Sequence, residues 1–186
     1  SFNKAVREGW GFLRNRRPDT YGILGDPVVR EYPRAGGRRD TPQRLGFSMP
    51  AEWELHEATW LAWPHEPDTF TDIPAVEGTY LRIISALVPG ERVNLLVRDG
   101  EMEGRVRGLL AGAGIGPGQV NLIPFDYADV WFRDYGPSFV VNRATGKAGM
   151  VGWEFNAWGG KYPGMIRDTR IPSCLAGRLG LPLYRP

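Results

Sequence analysis

The sequence predicts an α/β fold, and three observations carry that prediction. From Phe47 onward, short β-branched and aromatic runs alternate with segments whose apolar residues recur at helical spacing. Glycine (25) and proline (16) in 186 residues punctuate the alternation with turns. Hydrophobic residues at 42% and charged residues at 24% are ordinary shares for a chain with a packed core.

The elements follow in order. Ala58 to Trp63 is β-branched and aromatic and stops at Pro64, which predicts a short strand. Just after Pro74, Val76, Tyr80, Ile83, Ile84, Leu87 and Val88 line one face of a helix over 75–88. Arg92–Val97 reads as a buried strand. Met102, Val106, Leu109 and Leu110 give a second amphipathic helix, closed by Gly112 and Gly114. Strands are expected at Val120–Phe125, Ser138–Asn142 and Ala148–Phe155. Ile166–Leu179 is a weak helix that Pro172 should break. The run GAGIGPG at 112–118 does not match G-x-G-x-x-G and follows a helix, so it is a turn and not a phosphate loop.

Composition narrows the classes. A length of 186 allows one domain or part of one, and residue 1 is Ser, so an incomplete chain is expected. No apolar run approaches a membrane span and no signal peptide is visible, which points to a cytoplasmic protein without membrane partners. The single cysteine, Cys174, excludes an internal disulfide framework and a multi-cysteine zinc site. His56 lies among Glu52, Glu54 and Glu57, with no second His or Cys at ligand spacing, so no metal site is expected. The net charge of +2 divides into ten Lys/Arg against five Asp/Glu in residues 1–47 and thirteen against sixteen in 48–186. Residues 1–47 therefore read as a basic Gly/Pro-rich extension, disordered in expectation. With no nucleic-acid motif or aromatic platform in it, nucleic acid is not an expected partner.

The densest chemistry is DVWFRDYGP, Asp129 to Pro137, directly after a hydrophobic strand. If extended, Asp129, Trp131 and Arg133 share one face and Val130, Phe132 and Asp134 the other, until a turn at Tyr135-Gly-Pro. A carboxylate pairs bidentately with a planar guanidinium, and a Trp face adds cation–π attraction. The set thus suits an organic cation. An internal Asp129–Arg133 ion pair pinning a turn fits the same residues. In GWEFNAWGGKY, Gly152 to Tyr162, the glycines allow close backbone approach and Trp158 could wall a pocket. Trp153 and Phe155 fit a core there, whereas Asn156 and Trp158 fit a core less well.

Three segments, MPAEWELHEATWLAWP, DVWFRDYGPSFVVN and FNAWGGKY, resemble in order and spacing the N-terminal half of the agmatine deiminase and bacterial-type (Porphyromonas-type) peptidylarginine deiminase family, over about residues 48–186. The resemblance implies a pentein fold, a five-bladed α/β propeller of ββαβ units, with about two blades present. It implies hydrolysis of a guanidinium to a ureido group and ammonia without a cofactor, with agmatine converted to N-carbamoylputrescine for putrescine biosynthesis. A small cationic guanidine would be the partner, and the full-length protein could be a homo-oligomer. By the same resemblance Asp134 is the catalytic carboxylate that holds the guanidinium and Trp131 lines the pocket; Trp158, Asn156 and Asp129 are further candidates to bind substrate, while Asp129 and Arg133 are expected to brace the loop.

The resemblance further implies a histidine in an H-x-D segment and a cysteine in a glycine-rich G-x-x-H-C context. Neither motif occurs here: the histidines are His56 and His65, and Cys174 sits in Pro-Ser-Cys-Leu-Ala. The expectation is a fragment that is inactive alone. A peptidylarginine deiminase or amidinotransferase of the same fold, and a non-catalytic guanidinium-binding module, are the alternatives. In the segment after Trp153, Lys161 is the only cation, which favours a carboxylate-free amine over peptidylarginine.

Overall fold

The computed structural model describes residues 41–186, so most of the basic extension lies outside the described residues. The chain divides into two compact units, each with its own three-stranded sheet.

The first unit comprises Trp53–Tyr135 and Phe155–Thr169. Its strands β1 (Ala58–Ala62), β2 (Arg92–Val97) and β3 (Val120–Pro124) lie parallel in the order 1-2-3, with Thr59 opposite Val93 and Val93 opposite Val120. Parallel neighbours need crossovers, and helices α1 (Ile73–Leu87) and α2 (Gly100–Gly112) supply them. Helix α1 begins before the expected position: Asp72 caps it by accepting the Ala75 N–H at 3.0 Å, and Pro74 sits in the first turn, where its missing N–H is harmless. Asp99 caps α2 in the same way through the Met102 N–H at 2.8 Å. Trp63, Ile84, Val93, Leu95, Val97 and Val106 close the core with no more than trace exposure. Ile83, expected on the inner face of α1, is 42% exposed, and Leu81 packs on the core instead.

Three further elements complete this unit. Phe132–Tyr135 (α3) is one helical turn, which corrects the extended reading of DVWFRD. Phe132 stacks on Trp60 of β1, with ring centroids 5.5 Å apart. Ala157–Gly160 (α4) is a single turn wound left-handed, with φ near +52° at Ala157 and Trp158 and +77° at Gly159 and Gly160. A tight 3-10 stretch, Pro163–Arg170, follows.

The second unit, among the described residues, holds 41–52, Gly136–Glu154 and Arg170–Pro186. Strand β4 (Ser138–Asn142) pairs antiparallel with β5 (Lys147–Val151), and β5 pairs parallel with β6 (Leu183–Tyr184). Strand β5 ends at Val151 and not at Phe155. A Cβ on Gly152 would meet Leu183 Cδ1 at 2.9 Å and Pro172 Cβ at 3.2 Å, so the backbone there is pressed against its neighbours. Trp153, expected in a core, is 51% exposed, with its indole N–H donating to the Ser138 hydroxyl at 2.9 Å. Pro172 does not break a helix: it lies in the first turn of α5 (Ile171–Leu179), which Gly180 ends in the left-handed conformation.

Candidate functional site

The segment after β3 is fixed by two buried carboxylates. Asp168, 1% exposed, accepts the Ala128 N–H at 2.7 Å. Asp129, fully buried, accepts the Val130 N–H at 2.7 Å on Oδ1, and on Oδ2 the Thr69 hydroxyl at 2.5 Å and the Trp131 indole N–H at 3.0 Å. The buried Tyr135 hydroxyl donates back to the Asp129 carbonyl at 2.8 Å. These bonds turn the chain sharply enough for α3 to begin within three residues of Asp129, and they leave Trp131 at the surface.

Around Trp131 the aromatic side chains meet edge to face. Its ring lies 5.9 Å from Trp158, which contacts Phe155 at 5.2 Å and Tyr162 at 5.7 Å. Phe155 is buried, while Trp131 is 41% and Trp158 40% exposed, so indole surface remains open to a ligand. Asp134 is exposed, and one of its oxygens accepts the Trp158 indole N–H at 3.3 Å. Each of the two tryptophans therefore has its indole N–H on a carboxylate: Trp131 on Asp129, Trp158 on Asp134.

Of the residues singled out in the sequence, Asp129, Trp131, Asp134 and Trp158 are joined in this way. Asn156 enters through the backbone: its side-chain oxygen accepts the Gly159 N–H at 2.9 Å and so holds the left-handed turn that carries Trp158. Thr69, Tyr162 and Asp168 belong to the same network and were not anticipated. Thr69 is 60 positions from Asp129, a pairing with no local pattern to reveal it. A groove of about 520 Å³ lined by Glu66, Asp68, Thr69, Ala128, Tyr162 and Arg167 shares Thr69, Ala128 and Tyr162 with the network.

The electrostatics separate the groups. Desolvation pushes the Asp168 carboxyl up to about 6, against the bonds from the Ala128 and Asp129 N–H groups. Burial likewise raises the Tyr127 and Tyr135 hydroxyls, which stay neutral donors. His65 is pushed below its ordinary value by burial; its Nδ1 faces the Trp63 carbonyl at 3.3 Å and its ring packs edge-on to Tyr127. His56 lies 3.6 Å from Glu91. In the second unit, burial raises the thiol of Cys174, which α5 carries. Among the described residues no three His, Cys, Asp or Glu side chains are grouped to hold a metal ion, and no helix is long and apolar enough to cross a membrane.

The chain is similar to known proteins over most of its length. The Porphyromonas-type peptidyl-arginine deiminase family matches residues 48–186. The agmatine deiminase of Pseudomonas aeruginosa (strain LESB58) is 36% identical over 137 residues, which is 70% of this chain and 35% of that protein. That of Stutzerimonas stutzeri (strain A1501) is 34% identical over 129 residues, 69% of this chain and 33% of that protein. The solved structure of the agmatine deiminase of Enterococcus faecalis is 29% identical with a TM-score of 0.67, covering 78% of this chain and 39% of that one. This chain thus spans well under half the length of the relatives it matches. With its motifs, fold and matched residues in agreement, the chain belongs to the Porphyromonas-type peptidyl-arginine deiminase family.

Proposed function

We propose that the exposed surface formed by Trp131, Asp134 and Trp158 binds a guanidinium, and that residues 48–186 form the guanidinium-holding part of an agmatine deiminase. The observation that carries this reading is the exposed Asp134 carboxylate bonded to one of two half-exposed indoles at right angles. A carboxylate can take two parallel N–H bonds from a planar cation, and indole faces attract the same cation. Asp134 would keep the guanidinium charged and its central carbon electrophilic. Trp131 and Trp158 would wall the alkyl chain and exclude water. The relatives named agmatine deiminase support agmatine as substrate, converted to N-carbamoylputrescine and ammonia. On this reading the two sheets are parts of two blades of a pentein propeller, and 48–186 is one functional stretch distinct from the basic residues before it.

Hydrolysis also needs a thiolate to attack the carbon and a histidine to move protons. Cys174 does not suit the first role, because burial raises its thiol, and a raised thiol is a poor source of thiolate. His65, packed on Tyr127, does not suit the second. These 186 residues would therefore bind without turnover. The raised thiol equally favours a second reading, a guanidinium-binding module with no chemistry of its own. Titration calorimetry with agmatine tests the shared claim: binding is expected, and Asp134→Ala should abolish it. Absence of heat at millimolar ligand would end the guanidinium reading. Ammonia release on adding agmatine to the chain would instead overturn the reading that these residues bind without turnover.

A further inference from the structure

Asp129 does more than a loop brace requires. Its two oxygens receive three hydrogen bonds, from the Val130 N–H, the Thr69 hydroxyl and the Trp131 indole N–H, and all three donors are neutral. The side chain is fully buried. A buried carboxylate without a bonded cation is costly, and an asparagine would ordinarily be the less costly occupant. Here the amide cannot serve. Asparagine offers one oxygen and one NH2 group. The peptide N–H and the indole N–H can only donate, and they sit on different oxygens. An NH2 group would face one of them, so only an acceptor-only side chain satisfies the set. Thr69, in the stretch between β1 and α1, adds its hydroxyl to the same oxygen as the indole. That bond limits where the oxygen can lie and hence the plane in which the indole can bond.

We propose that Thr69 and Asp129 form a positioning pair that sets the ring plane of Trp131, with Asp129 required as a carboxylate. Asp129 then touches no ligand. The division of labour is that Asp134 holds the cation and Asp129 holds the wall against which it stacks. The identity of the occupant rests on the guanidinium reading; the hold on Trp131 does not.

Indole N–H resonances of the 15N-labelled chain test the pair, with the Trp131 signal assigned by its loss in Trp131→Phe. Thr69→Val removes the hydroxyl at nearly constant shape, Thr69→Ser restores it, and Asp129→Asn replaces one acceptor by a donor. The Trp131 resonance should shift and lose exchange protection in Thr69→Val and Asp129→Asn, and return in Thr69→Ser. The Trp63 resonance, whose N–H is bonded to Glu77, should stay in place and report an intact fold. The agmatine dissociation constant should rise roughly ten-fold in Thr69→Val and recover in Thr69→Ser. An unmoved Trp131 resonance in Thr69→Val overturns the proposal. So does unchanged affinity once the resonance has moved. If the parent chain binds no agmatine yet the Trp131 resonance responds, the guanidinium reading falls and the pair's control of Trp131 stands.

Discussion

At the scale of single residues, Glu77 shows how one buried carboxylate can tie three elements. It accepts the indole N–H of Trp63 at 2.8 Å and the guanidinium of Arg105 at 3.0 Å, linking the end of β1 to α1 and α2. The bond from Arg105 holds the Glu77 carboxyl below its ordinary value, opposed by burial and helped by Trp63. Arg105 is about half exposed, so the ion pair alone contributes little. The larger loss in Glu77→Ala is the buried indole N–H left without an acceptor, and the variant should be less stable by about 2 kcal/mol in urea unfolding at pH 7. A folded-state value below the unfolded one means that this contribution exists above pH 4.5 and fades as pH falls through the folded-state value, so the difference between the two proteins should shrink in acid. Residue types at the site were legible in the sequence, because Asp129, Trp131 and Asp134 fall within six positions. Their roles were not. Asp129 and Asp134 look alike in the chain, and only burial separates the one that accepts the Trp131 indole N–H from the one that faces solvent.

At the scale of elements, the 3-10 stretch Pro163–Arg170 matters through Asp168, whose carboxylate fixes the backbone of the segment leading to Trp131. Its folded-state value of about 6 exceeds the ordinary 3.8, so the folded chain holds this proton more tightly than the unfolded one. Asp168 therefore lowers stability as pH rises from about 4 to about 6. Asp168→Asn keeps one oxygen for the two N–H groups, of Ala128 and Asp129, and cannot ionise. Across that window the variant should gain stability relative to the parent, and parallel unfolding curves at pH 4 and 7 would refute this. The parallel sheet and its two crossover helices were legible because a period of 3.6 alternates cleanly with short apolar runs. Two boundaries were not. Trp153 and Phe155 continue the alternation of β5 past its end, although the backbone at Gly152 is already wedged against Leu183 and Pro172. Pro172 looked like a breaker because a sequence does not say whether a proline stands within a helix or in its first turn.

At the scale of the molecule, the charge of residues 48–186 fits the proposed cationic ligand. Residues 48–186 carry sixteen Asp/Glu against thirteen Lys/Arg, and the proposed site presents a carboxylate to a doubly cationic amine. Attraction of this kind is screened as the Debye length shrinks from about 10 Å at 0.1 M salt to about 3 Å at 1 M. Agmatine affinity should weaken monotonically across that range, and a salt-independent dissociation constant would show that stacking and not charge dominates. The fold class and the family were open to reading from residues 48–186, where long motifs recur in order. The pairing of Thr69 with Asp129 and of Asp168 with Ala128 belongs to the folded chain alone.

The left-handed turn at Ala157–Gly160 closes through the Gly160 N–H to the Asn156 carbonyl at 2.8 Å, the mirror image of an ordinary helical turn. L-residues resist that hand by roughly 1–2 kcal/mol each, and here Ala157 and Trp158 both accept it. At position 157 the stereochemically matched occupant is thus D-alanine, whose preferred helix has the hand the turn already adopts. A chemically ligated chain with D-Ala157 should seat Trp158 more firmly than the natural one does.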